Sequence, residues 1–259
     1  MRGRRVPPAT APTVVSSIWN HAPNAVVQAA ESVAFLVNGA GTGLDLVLAT
    51  ATDVRGLGGS NDAFYVQRST ANCTPDLEGG LPPIANGNST FVPNGTPVAA
   101  ADPVRNGFFI ADLRFTSDPD FNGVGILKAT AANLLDDTAC PSGTQTSGSG
   151  GCFTTGSVFS ITELNAFLSN PHIAVDQRTS GAGAGNVYAV VTQANPNKTI
   201  QTQISLFACQ NADLNCSSSI SISGTDLEAN NAWAQVRPDG GITGVVSQYQ
   251  VPRHQPGGN

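Results

Sequence analysis

Lysine occurs only twice in the 259 residues and methionine once, and charged residues make up 12% of the chain, about half the roughly 25% usual in soluble domains. Ten arginines complete the cationic set of 12 against 18 acidic side chains, giving a net charge of -6 and a pI near 4.8. So few cations cannot lay a basic track along phosphates, so no nucleic-acid partner is expected. Long apolar runs are missing too. The best stretch, Val33 to Ala51, is broken by Asn38, by glycines and by Asp45, which is too polar to cross a bilayer, so no transmembrane segment is expected. The basic start Met1-Arg2-Gly3-Arg4-Arg5 is followed by Val6-Pro-Pro-Ala-Thr10 rather than an apolar region, so no signal peptide is expected within this chain. Hydrophobic residues at 40% are enough for a core, which excludes wholesale disorder.

Catalytic signatures are equally scarce. There is no Gly-x-Ser-x-Gly elbow, and His21, His172 and His254 stand apart from one another, so a serine hydrolase is not expected. The run Gly39-Ala-Gly-Thr-Gly43 has the look of a phosphate cradle, but no helix pattern follows it. It reads as a hairpin turn.

The cysteines come in two close pairs, Cys140 with Cys152 and Cys209 with Cys216, each flanking a short polar loop. Either they are free thiols or they close as disulfides, for which loop entropy gives about 3 and about 2.5 kcal/mol. No CxxC or Cys/His zinc pattern is present, and the abundance of Ser, Thr, Asn and Gly favours an oxidising compartment, secreted or at the cell surface. Five Asn-x-Ser/Thr sequons, at Asn72, Asn88, Asn94, Asn197 and Asn215, are unsurprising in such a chain.

The strongest signal is internal repetition. Segments around Ala34, Ala100, Ala174 and Gln235 begin alike and lie 66, 74 and 61 residues apart. Each leads into a Gly-bearing turn and a second β-type run: Leu44 to Ala51, Phe108 to Phe115, Val187 to Thr192 and Ile242 to Tyr249. Third runs follow at Phe64 to Arg68, Val124 to Lys128 and Ile204 to Phe207, with fourth runs at Val158 to Ile161 and Ile220 to Ile222. In the first unit a fourth run is hard to find between Leu81 and Val98. Short runs rich in Val, Ile, Phe and Thr between Gly, Pro, Asn and Asp are strands. Helix is expected only as a turn or two at 128–137 and 162–168, the second capped by Thr162. The expected fold is all-β, with β-propeller-type blades of four antiparallel strands: three fairly complete blades and a partial fourth. A two-sheet sandwich explains the strands but not the recurrence. The expected layout is a tail over 1–24, with Thr13 to Trp19 as a ring-closing strand, a propeller over 25–251 with blades starting near 31, 97, 171 and 232, and a tail over 252–259.

Pro171-His-Ile-Ala-Val-Asp176, Asn186-Val-Tyr-Ala-Val-Val-Thr192 and Gln203-Ile-Ser-Leu-Phe-Ala-Cys209 together resemble a blade of the sialidase-like (BNR-repeat) β-propellers. Val98-Ala-Ala-Ala-Asp-Pro103 and Val236-Arg-Pro-Asp-Gly240 resemble the same element in neighbouring blades, and the likeness extends over about residues 31–249. The family's Ser-x-Asp-x-Gly-x-x-Trp box is absent. The turn it would occupy carries Cys140…Cys152 in the second unit and Cys209…Cys216 in the third, so the cysteines read as its structural substitutes. Cys73 sits at the matching place in the first unit without a nearby partner; it is free or pairs outside this chain. The resemblance implies a carboxylate clamped by three arginines, a Tyr nucleophile beside a Glu, and an Asp acid. From this chain, Arg68, Arg114 and Arg237 with Asp176 are the residues from which such a site could be assembled, although a structural role is the simpler reading of each. Tyr65, Tyr188 and Tyr249 lie in strand runs without a supporting Glu. The expectation is therefore a non-catalytic module that binds a glycan or protein ligand or serves as a scaffold, with an exo-sialidase-type glycosidase as the alternative. No organic cofactor is expected. One metal-like spacing, Asp118-Pro-Asp120-Phe-Asn122-Gly123, puts oxygen ligands at alternate positions as calcium loops do; it reads as a calcium site or as a polar hairpin tip.

Overall fold

The computed structural model describes residues 27–36, 46–54, 60–68, 76–116, 122–141, 150–160, 167–194, 202–211, 213–217, 220–223 and 227–250. These residues form an all-β structure of antiparallel sheets, and each sequence repeat gives one sheet. Sheet I is β1 (Val27–Leu36), β2 (Leu46–Val54), β3 (Ser60–Gln67) and β4 (Leu77–Gly80), paired in that order. A hairpin follows, β5 (Ile84–Asn86) and β6 (Ser89–Pro93). Sheet II contains β7 (Val98–Asp102), β8 (Gly107–Phe115), β9 (Asn122–Thr130) and β10 (Thr155–Ser160), with the hairpin attached through β6 and β8. Sheet III is β11 (Phe167–Val175), β12 (Val187–Ala194), β13 (Thr202–Cys209) and β14 (Ile220–Ser221); sheet IV is β15 (Leu227–Val236) with β16 (Ile242–Gln250).

The repetition reaches below the level of strands. The register of the first strand shifts between Ala29 and Ser32, between Ser169 and His172, and between Asn230 and Trp233. Such irregularities bend a strand and increase its local twist, and here they fall at equivalent points of sheets I, III and IV.

The sheets stack face to face in chain order because alternate side chains point to opposite faces. Ala34, Leu36, Leu48 and Phe64 of sheet I pack with Phe108, Ile110, Leu127 and Val158 of sheet II. The other face of sheet II, with Phe109, Ala111, Val124, Ile126 and Phe159, packs on Ile173, Val175, Val187, Ala189 and Phe207 of sheet III. Val190 and Ile204 of sheet III meet Ala232 and Ala234 of sheet IV. Strands β8 and β12 are buried on both faces because both are covered.

Three expectations need correction. The fourth strand of the first unit exists, but as Leu77–Gly80, ahead of the region searched; its two glycines hide it from a pattern built on β-branched residues. The second expected helix overlaps β11, where Phe167 and Leu168 pair with Ala194 and Gln193; residues 161–166 lie outside the described residues. The first is real but shorter, α1 (Ala131–Leu135), capped by Thr130, whose hydroxyl accepts from the Asn133 amide at 3.1 Å. The expected closing strand, Thr13 to Trp19, lies outside the described residues.

Sheet II also curls on itself. Its far strand β5 returns to β10, where the Asn86 amide donates to the Val158 carbonyl at 3.4 Å, so the sheet is nearly closed like a barrel. Inside lies Arg114, wholly buried. Its Nε donates to Asp112 Oδ1 at 2.8 Å and its Nη1 to the carbonyls of Pro82 at 2.7 Å and Phe91 at 3.4 Å. Gly125, opposite Asp112 on β9, leaves the space that the guanidinium fills.

Candidate functional site

The turns that end the first strands of sheets II, III and IV each carry an Asp and an Arg, and the pairs are chained together. After β7, Asp102 is buried and its Oδ1 accepts from the amides of Val104 at 3.1 Å and Arg105 at 3.2 Å, while Oδ2 accepts from Arg105 Nη1 at 3.2 Å. An aspartate gathering the N–H groups of its own turn is an Asx-type turn. Arg105 then crosses to sheet III: Nη1 reaches the carbonyl of Asp176 at 3.4 Å and Nη2 that of Arg178 at 2.9 Å.

The second turn repeats the device. Asp176, fully buried, accepts from Arg178 Nε and Nη2, the closest contact being 2.6 Å. Arg178 Nη1 crosses in turn to the carbonyl of Asp239 in sheet IV at 3.0 Å. Hydrogen bonding from Arg178 holds the Asp176 carboxyl below the usual carboxylate range, against the cost of burial. Each arginine lies against a glycine of the turn it reaches: Arg105 on Gly185 and Arg178 on Gly240, both with positive φ (83° and 86°). A side chain there would be strained and would collide with the guanidinium. In the third turn Arg237 pairs with Asp239 at 2.9 Å, exposed on both sides, and makes no crossing among the described residues.

Beside this relay lies a cleft of about 700 Å³ bounded by Ala99–Ala101 of β7, by 172–178 and by 233–238. Trp233 is 45% exposed in it, with the His172 ring 5.6 Å away, and Gln177 and Gln235 stand exposed on its walls. Burial lowers the pKa of His172, so the imidazole is neutral at physiological pH and accepts the Ala234 amide through Nδ1 at 3.4 Å. Asp176 is the one carboxylate among the cleft-lining residues, and Arg178 occupies it. A second cleft of about 510 Å³ is lined by Arg105, Gly183, Ala184, Asn186, Gln210 and Asn211.

The residues singled out from sequence do not converge. Arg68 donates to the carbonyls of Leu134 at 2.5 Å and Cys140 at 2.7 Å and pairs with Asp137, tying sheet I to α1 and the loop after it. Arg114 is interred in sheet II, and of the four only Arg237 and Asp176 line the cleft. Tyr65 and Tyr188 are buried; the Tyr249 side chain lies outside the described residues. The cysteine pairs are disulfides, Cys140–Cys152 and Cys209–Cys216, each between the third and fourth strands of its sheet. Asp118, Asp120 and Cys73 lie outside the described residues. Asn122 is described, and its carboxamide oxygen accepts the Leu168 amide at 3.3 Å, so it fastens β9 to β11. No cluster of three metal-ligating side chains occurs among the described residues, and no described helix is long and apolar enough to cross a membrane.

Sequence reasoning missed Arg105 and Arg178. The signal was present as Asp-Pro-Val-Arg after β7 and Asp-Gln-Arg after β11, but spacing within a turn does not reveal that the guanidinium serves the neighbouring sheet. Compared with known proteins, the chain matches no family model and no curated protein sequence.

Proposed function

We propose that this chain is a secreted or cell-surface module of sialidase-like β-propeller type, its stacked sheets the blades, and that it binds a glycan in the cleft beside the first strands without hydrolysing it. The observation that carries this reading is the half-exposed Trp233 set among exposed amides and a neutral imidazole. An indole face offers apolar surface to the C–H face of a sugar ring while amides serve its hydroxyls. Glycoside hydrolysis needs a pair of carboxyl groups or their equivalent around the scissile bond, and the carboxylate of the cleft is already committed to Arg178. The two disulfides support an oxidising compartment.

The test is a glycan array probed with the wild-type chain and with Trp233→Ala. Saturable binding, weakened about tenfold or more by the substitution in line with loss of an aromatic anchor, supports the reading. No binding, or binding unchanged by the substitution, removes it. Turnover of a fluorogenic sialoside would move the assignment to a sialidase-type glycosidase.

A further inference from the structure

The two ends of the stack are unlike faces of one recurring contact. At each internal junction, the face that a sheet turns forward meets the face that the next sheet turns back: Ala34 and Leu36 of sheet I look forward, Ile173 and Val175 of sheet III look back, and Ala232 and Ala234 of sheet IV look back. By strand alternation, Val33 and Phe35 form the backward face of sheet I, and Trp233 and Gln235, with Thr243 paired opposite Gln235, form the forward face of sheet IV. Equivalent residues are covered at the internal junctions. Here Val33 is 64% and Phe35 50% exposed, and Thr243 is exposed as well. Arg105 and Arg178 each cross to the following sheet, whereas in the third turn the order is reversed, Arg237 before Asp239, and Arg237 makes no crossing among the described residues.

We infer that the forward face of sheet IV binds the backward face of sheet I of a second copy of this chain. The chain's own sheet I does not serve, because Phe35, Val33 and Trp233 stay exposed together in one molecule. Unlike faces at the two ends make the contact head-to-tail, and two copies that satisfy it reciprocally close with two-fold symmetry. Four sheets from each copy then give eight, within the range of closed radial arrays. This contact extends a series already made three times within the chain by the same strand alternation.

The test is sedimentation velocity of the full chain, from about 1 to about 100 µM because mass action sets the assembled fraction, with Phe35→Asp and Thr243→Arg. Neither residue lines the glycan cleft, but the contact covers Trp233 and Gln235, so a second copy and a glycan compete for that face. The glycan array run on the two charged variants separates failure here from failure of the binding assignment. The expected result is a species of twice the 26.4 kDa chain mass. Each substitution alone should return it to 26.4 kDa with an unchanged thermal transition, and Phe35→Leu should retain the dimer. Three results would overturn the inference: a monomer throughout the range, a dimer that survives either charged substitution, or mass that grows beyond the dimer.

Discussion

Arg178 donates to the main-chain carbonyl of Asp239 at 3.0 Å, so a side chain held by the buried Asp176 in one sheet fixes the turn of the next. The same relationship links Arg105 to Arg178 one sheet earlier. A planar, permanently charged fork suits this task because it satisfies its own aspartate and still has N–H groups to spare.

Removing the crossing should therefore loosen sheet IV before it affects the rest. Arg178→Lys should destabilise the chain, since an ammonium cannot fork between the carboxylate and the carbonyl. Hydrogen exchange should quicken in β15 and β16 while β8 stays protected. Uniform exchange across all sheets would contradict this.

Gly240→Ala should destabilise through a different cause at the same point. The residue has φ +86°, and a methyl group would displace Arg178. The strain alone is worth about 1 kcal/mol or more. Because both substitutions disturb one contact, the double variant Arg178→Lys/Gly240→Ala should lose less than the sum of the singles in urea unfolding. Simple additivity would show that the arginine and the glycine do not act together.

The interior of sheet II should be the most sensitive place in the molecule. Arg114→Met leaves the fully buried Asp112 without its cation, and at alkaline pH, where that carboxyl is ionised, stranding one partner of a buried pair costs about 3–5 kcal/mol. Replacing both, as Asp112→Leu/Arg114→Met, should recover much of that loss. A double variant as unstable as the single would mean that the guanidinium's bonds to Pro82 and Phe91, rather than its charge, hold the site.

Two buried carboxyl groups beside Arg114, Asp62 on β3 of sheet I and Asp112 on β8 of sheet II, give stability a pH dependence of defined sign. Burial pushes the Asp62 carboxyl up to about 6, against hydrogen bonds from Gly95 and Thr52 and the charge of Arg114. Asp112 moves in the same direction, with burial outweighing Arg114. An unfolded aspartate titrates near 3.9, so between about pH 4 and 6 the native state keeps a proton that the unfolded chain releases. The Asp62 contribution is full below about pH 4 and is lost as pH rises through about 6, on the order of 2 kcal/mol. His172, lowered by burial, acts with the opposite sign. Comparison of urea midpoints for wild type and Asp62→Asn from pH 4 to pH 8 isolates the aspartate: the wild type should lose more stability over the range than the variant. Parallel curves would refute the assignment.

Cleavage of the disulfides should be costly but unequal. Cys140–Cys152 closes a separation of 12 residues and Cys209–Cys216 one of 7, for which loop entropy gives about 3 and about 2.5 kcal/mol. Paired Cys→Ser variants measured by thermal unfolding should rank in that order.

What the sequence determined was local and periodic. Four recurring segments, the runs after them and their Gly-bearing turns located the four sheets, because strand punctuation and side-chain alternation are written residue by residue. The cysteine pairs were legible for the same reason, each lying within a single turn. Leu77–Gly80 escaped because its glycines take strand form only when β3 offers a partner. The tertiary structure alone decided which charged groups meet. Arg114 became a core residue because β5 and β6 curl over it, and Arg105 and Arg178 became ties between sheets because stacking brings each turn beside the next. Contacts between chain-distant groups depend on the path of the backbone, and spacing along the sequence does not encode that path.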